Sequence, residues 1–401
     1  MRDSHLPRTS AITIFCVLTS GWLFFAKSIP IWNDEALSQD RSIQNLSYAS
    51  MFSGKIPEGN RTPLFYFMQK LTQDAIGYKW PGGYESGPLY SNMDGTLTQL
   101  ASTELFANVI LRLLPVACMA AGVAAIYYYF SARWNIWLGA YSLLLSLSSF
   151  MVWEYAFHAR PYALWFCLTS FQVYLFLESI EARTAQRDPT LVRLTVIHWL
   201  LSLTAIFSAV QIIAACIVLW VFGERRLIWQ TLMSVGPIFI TLGYFIVVPH
   251  ANIFFVDGPM ALLFASLPLD RISIIAIGLL VIGASALFGA NPMPERIARL
   301  RLVQAATSFL LLIYCGCLLV LLKFKIDDPG FGDSIGTFVS NRYFIVLTPV
   351  GIVMTSIASY YILTLTKGYY KIMGGIFLCA LMLLRFSRTF DLVILRRLSG
   401  N

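Results

Sequence analysis

The sequence predicts an all-α, polytopic membrane protein. Three observations carry this. The 401 residues are 57% hydrophobic and only 12% charged, with a mean hydropathy of +0.68, a balance that a soluble domain of this length does not show. Apolar runs long enough to cross about 30 Å of hydrocarbon recur along the chain. The lysines and arginines fall in short hydrophilic breaks between those runs.

The first apolar run, 11–29, reads as a retained anchor. No small-residue cleavage site follows it, and Trp22, Phe24 and Phe25 make it bulkier than a signal peptide. The next segment, 30–104, is the dominant hydrophilic stretch and the one large enough to carry a site with its own structure. Within it, 34–48 spaces Leu37, Ile43 and Leu46 among polar residues behind Asn33, a good helix N-cap, which predicts an amphipathic helix on the membrane surface. A second such helix is predicted over 63–76, opened by Pro63, with Leu64, Phe65, Phe67, Met68 and Leu71 available to face lipid. The Gly, Pro, Tyr and Asn content of 77–95 predicts a loop.

Spans are predicted near 106–130, 134–150, 162–180, 227–248, 272–288, 302–322, 343–365 and 372–384, with 194–222 crossing twice as two short helices. The total is about eleven transmembrane helices in a single domain covering 1–401. Arg2 and Arg8 precede the first span, and later basic residues fall in alternate breaks, so the N-terminus is expected in the cytoplasm of a cell-membrane protein and 30–104 outside it. The basic residues after 384 land on the wrong side of that count. A formal charge of +8 scattered in this way builds no nucleic-acid surface. All seven cysteines lie inside apolar runs and read as small buried hydrophobes rather than disulfide partners.

Two stretches can carry chemistry. Asp34 and Glu35 stand a few residues beyond the first span, where burial would cost desolvation unless they are solvated, paired or used. Adjacent helical residues point about 100° apart, so only one of them can face a given site. Both also suit the positive end of a helix, which explains them without any chemistry. In "EYAFHARPYALW", Arg160 precedes the Pro161 that opens a span, and its planar fork of donors suits a phosphate at headgroup level. Anchoring by Trp153, Tyr155, Tyr162 and Trp165 explains the same stretch. Asp327, Asp328 and Asp333 lack the order of a calcium loop and read as a solvated turn, so no metal site is expected.

Five stretches, "NDEA", "NRTPLFYFMQKL", "LRLLPVACMAAG", "HARPYALW" and "NRYFIVLTP", occur in an order that resembles the GT-C membrane glycosyltransferases. The branch is that of the protein O-mannosyltransferases and the lipid A aminoarabinose transferase. The resemblance is best over 12–178 and thin from there to 341. It implies a hexosyl or pentosyl transferase that takes sugar from a polyprenyl-phosphate donor and delivers it to a glycan, lipid or protein hydroxyl at the extracytoplasmic face. It also implies catalysis by Asp34, with Glu35 as its neighbour. Arg160 and Tyr162 match the "E-A-R-P-Y" pattern that points toward the donor phosphate, although His158 stands in place of its glutamate. Arg342 and Tyr343 match a late "R-Y" pair, and Arg112 matches a family arginine that alone could equally snorkel to the interface. Arg61 replaces the histidine of an "H-P-P-L" pattern, leaving Pro63 and Leu64 as matches.

The implied chemistry needs no cofactor. A carboxylate at Asp34 would take the proton of the acceptor hydroxyl, and Arg160 and Arg342, with Lys323 or Lys325 in reserve, would stabilise the growing charge on the departing phosphate. One base acting in line inverts the anomeric centre. Two other readings compete: a transporter or lipid flippase, which would place ionisable residues along a path through the bilayer, and a catalytically silent chain of the same fold that binds lipid or a partner.

Overall fold

The computed structural model describes residues 5–27, 29, 31, 35–36, 38–57, 62–80, 105–182, 184–246, 294–327, 344–365 and 369–390. Among these no strand occurs, and the chain is a bundle of helices. They are α1 (His5–Ala26), a π-helical segment (Ser38–Gln44), α2 (Tyr48–Phe52), α3 (Leu64–Ile76), α4 (Leu105–Arg133), α5 (Ile136–Leu147), α6 (Phe150–Ala156), α7 (Tyr162–Glu181), α8 (Thr184–Ser202), α9 (Ser208–Phe222), α10 (Leu227–Ile246), α11 (Pro294–Asp327), α12 (Leu347–Leu365) and α13 (Tyr369–Thr389).

Five of them, α1, α4, α7, α10 and α11, are long and apolar enough to span a membrane, and α5 with α6 makes a sixth if the pair, bent by 66°, counts as one crossing. The sequence-based number of about eleven is larger because it counts shorter or more polar segments. Of these, α9 and parts of α12 and α13 are apolar but short, α8 carries Arg187, Asp188, Arg193 and His198, and 272–288 lies outside the described residues.

The core is organised by α4 and α7. α4 packs on α1, α5 and α7, and α7 packs in turn on α8 and α12. α7 is buried almost from end to end, and the polar residues it carries inward, Thr169, Ser170 and Gln172 among them, are hydrogen-bonded there. The two central helices meet closely at Gly122, where a Cβ would lie 2.7 Å from the Phe166 ring, so the small residue is needed for the approach.

Two prolines inside spans are answered by polar side chains. Proline has no N–H, so it leaves the carbonyl four residues earlier without its helical partner, and in a membrane another donor must supply the bond. Pro115 in α4 frees Leu111 O, which accepts from Gln69 Nε2 of α3 at 2.8 Å. Pro237 in α10 frees Met233 O, which lies 2.9 Å from His198 Nδ1 of α8. His198 therefore carries its proton on Nδ1, and its Nε2 accepts from Gln172 at 2.9 Å. Gln172 joins Gln211, which also accepts from Trp165 Nε1 at 2.9 Å. These bonds tie α7, α8, α9 and α10 together inside the bundle.

The segment after α1 departs from the sequence-based expectation. Instead of one surface helix over 34–48, a helical turn at Glu35–Ala36 gives way to the π-helical segment, and α2 follows separately behind Ser47, whose Oγ accepts from Ser50 N at 3.2 Å. α3 starts at Leu64, behind Pro63, and stops at Gly77, whose φ of 74° suits glycine. The face it turns inward is mixed: Phe65, Tyr66, Gln69 and Gln73 are fully buried, while Leu71 is half exposed. The pull of Gln69 toward Leu111 O fixes that rotation.

Candidate functional site

The C-terminus of α1, the start of the loop, the first third of α4 and the turn between α6 and α7 converge on Arg112. Its guanidinium is 1% exposed. Nε donates to Phe157 O at 2.6 Å, Nη1 to Ala26 O at 3.1 Å and Ile29 O at 2.6 Å, and Nη2 to Glu35 Oε2 at 3.1 Å. Glu35 is 2% exposed, and its second oxygen accepts from Ala159 N at 2.6 Å. An ion pair this deep holds only when its remaining hydrogen-bonding capacity is satisfied, and backbone groups do that here.

The consequence is a rigid turn at 157–161. Phe157 O is held by Arg112 and Ala159 N by Glu35, while Arg160 N closes back on His158 O at 2.7 Å. Pro161 forbids continuation of α6 and opens α7. Arg160 is thereby presented beside the π-helical segment, where its Nη1 donates to Ser38 Oγ at 2.8 Å. Around it, His158 Nε2 lies 3.3 Å from Glu154 Oε1. The Tyr155 ring packs on His158 and on Tyr162, with centroids 5.3 and 5.0 Å apart. The result is a cation at the edge of a buried polar layer, on a turn flanked by the Tyr155 and Tyr162 rings, a setting suited to an anionic headgroup attached to an apolar tail.

With this geometry the chain can be set beside known proteins. It matches the crystal structure of ArnT from Cupriavidus metallidurans in the apo state, a GT-C lipid A aminoarabinose transferase, with a TM-score of 0.54 and 12% identity over 94% of this chain and 72% of that one. The chain has the fold of ArnT. No protein-family model matches the sequence, and no curated protein is significantly similar to it. In this chain the arrangement above ties the C-terminal end of α1 to α4 and to the turn between α6 and α7.

The candidate residues read from the sequence are distributed as follows. Glu35, Arg112, Arg160 and Tyr162 are brought together, the first two as partners of each other. Arg112 is enclosed by protein rather than placed at the interface. Asp34, Arg61, Arg342 and Tyr343 lie outside the described residues. Lys323 and Lys325 stand near the C-terminal end of α11. That helix runs from the opposite end of the bundle, where Arg301 donates to Phe222 O.

Three participants had escaped sequence reasoning: Ser38, the backbone of the 157–161 turn, and Gln69. A proline within a span announces a freed carbonyl and so the need for a donor like Gln69, but its source on another helix has no local signature. Among the described residues no group of three or more His, Cys, Asp or Glu side chains could hold a metal.

Proposed function

We propose that this chain is a glycosyltransferase that moves a sugar from a polyprenyl-phosphate donor to a hydroxyl acceptor at the extracytoplasmic face, with inversion. The observation that carries the proposal is the clamp of Arg112 and Glu35 on the 157–161 turn, which presents Arg160 at the head of an ArnT fold. Arg160 is the group that meets the donor phosphate and stabilises the charge that grows on it as the glycosidic bond breaks. Tyr162 and the neighbouring rings line the same approach. Arg342, Tyr343, Arg61, Lys323 and Lys325 are further candidates for the phosphate, and no cofactor is invoked.

Asp34 is the general base of this scheme. Glu35 is engaged with Arg112 and Ala159 N, which supports a division of labour: Glu35 positions the turn and Asp34 deprotonates the acceptor hydroxyl. Asp34→Asn is expected to leave insertion and folding intact and to lower turnover by about 10² to 10⁴. Near-normal turnover would remove the assignment.

The experiment that tests the reaction itself is lipid-resolved mass spectrometry of membranes with and without the protein. A polyprenyl-phosphate sugar that accumulates on its removal identifies the donor. An unchanged donor pool, combined with an absence of transfer by the purified protein, sinks the proposal.

A further inference from the structure

Between α3 and the π-helical segment lies a layer that is polar although it is sealed. Ser38, Gln39, Ser42, Gln69 and Gln73 are all fully buried there. An amide relay crosses it: Gln44 Nε2 donates to Gln73 Oε1 at 2.7 Å, and Gln73 Nε2 donates to Gln39 Oε1 at 2.7 Å. The relay stops at Gln39, whose Nε2 has no partner. In this orientation the atom left over on Gln39 is a donor; reversing every amide of the relay would leave it an acceptor instead.

Gln69 precedes Gln73 by one turn on the same face of α3, and its orientation is fixed, because only its amino group can bond Leu111 O. Its Oε1 is therefore left pointing elsewhere, also buried and also without a partner. Leaving a buried donor and a buried acceptor unmet is costly, and two such atoms on facing elements call for an explanation. A hydroxyl group answers both, since it accepts from one amide and donates to the other.

The position of the layer narrows what brings that hydroxyl. Ser38, next to Gln39, is the residue on which Arg160 rests, at 2.8 Å. The polar layer thus begins where the proposed phosphate contact ends. The segment carrying Ser38 and Gln39 is π-helical, a geometry that is rare and concentrates at functional sites. Across the seam between α3 and this segment the bonds run through side chains, the relay and Lys70 Nζ to Ile43 O at 3.1 Å.

We propose that Gln39 and Gln69 form a subsite for a hydroxyl of the sugar carried by the lipid-linked donor. The proposal rests on the transferase reading above. A trapped water would satisfy the same two atoms, and the test separates the two.

The full-length protein in lipid nanodiscs is incubated with a polyprenyl lipid extract of its own host containing both bare polyprenyl phosphate and its glycosylated forms, and native mass spectrometry reads which are retained. Gln39→Glu keeps an acceptor for Gln73 Nε2 and removes the spare donor, and Gln39→Met provides a second variant should the carboxylate impair folding. The wild type is expected to retain the sugar-bearing lipid in preference to the bare phosphate. Either variant should reduce that preference by about tenfold, with retention of bare polyprenyl phosphate unchanged. A wild-type preference in the variants means that a water alone fills the layer. Equal loss of both lipids makes Gln39 a packing residue, and a wild type that binds the bare phosphate without preferring the sugar also overturns the subsite. If the wild type retains neither lipid, the transferase reading itself falls, and the subsite with it.

Discussion

Arg112 and Glu35 are both almost wholly withdrawn from solvent, and each also bonds backbone groups. Removing one partner alone leaves a buried charge without compensation. Arg112→Met is expected to cost about 3 to 5 kcal/mol, whereas the double change Arg112→Met with Glu35→Leu should cost less than the sum of the single changes. Thermal denaturation of the purified protein reads this, and strict additivity would remove the pair from its place at the centre of the site. The proline-freed carbonyls give a sharper case. Gln69→Leu strands Leu111 O in the interior at about 1 to 3 kcal/mol, and Pro115→Ala restores the missing N–H. The double variant is therefore expected to recover most of the loss, and failure to recover it would mean that Gln69 acts through some other contact. The residue types behind these pairs are legible in the sequence. Their pairing is not, because the partners stand 77 and 42 positions apart.

The helices α4, α7 and α10 follow from runs of apolar residues alone, and the sequence spacing places them within a few residues; α9 is the second half of the predicted 194–222, and α11 extends beyond the predicted 302–322 at both ends. The loop elements were less legible. A period that suits an amphipathic helix does not say which of its residues meet protein, and in α3 these are Phe65 and Tyr66 together with Gln69 and Gln73. At the end of the bundle away from Arg160, Arg226 joins α8, α9 and α10 by bonding both Asp188 and Glu224. The bond from Arg226 holds the Asp188 carboxyl below its ordinary range. Burial alone would push Glu224 up, but its bonds from Arg226 outweigh this and leave it lowered as well. A carboxylate with a depressed folded value contributes stability that is present above its unfolded value, near pH 4, and is lost as pH falls through the folded one. Amide protection at 223–230, corrected for the intrinsic pH dependence of exchange, is thus expected to fall as pH drops below about 4 and to be constant between about pH 6 and 8. Arg226→Ala should abolish the difference, and an Arg226→Ala protein that kept it would place the titration elsewhere.

Across the whole molecule, the loop side and the Arg226 side form opposite ends of one bundle, and the transferase reading requires the loop end to face outward. Ser53, between α2 and α3, and Arg225, between α9 and α10, are both exposed. Cysteine at position 53 is therefore expected to react with an impermeant maleimide in intact cells, and cysteine at position 225 only after the membrane is opened. The reverse pattern would sink an extracytoplasmic mechanism. Composition and hydropathy by themselves fixed the solvent, the helical class and the order of the spans, since each is a property of a local run of residues. The order of the short motifs indicated the ArnT type of fold. Folding alone put Glu35 on Arg112, the 157–161 turn under both, and Gln69 on the carbonyl freed by Pro115. Those contacts depend on which faces of distant helices meet, and on the cost of leaving a buried charge or a proline-freed carbonyl without a partner there.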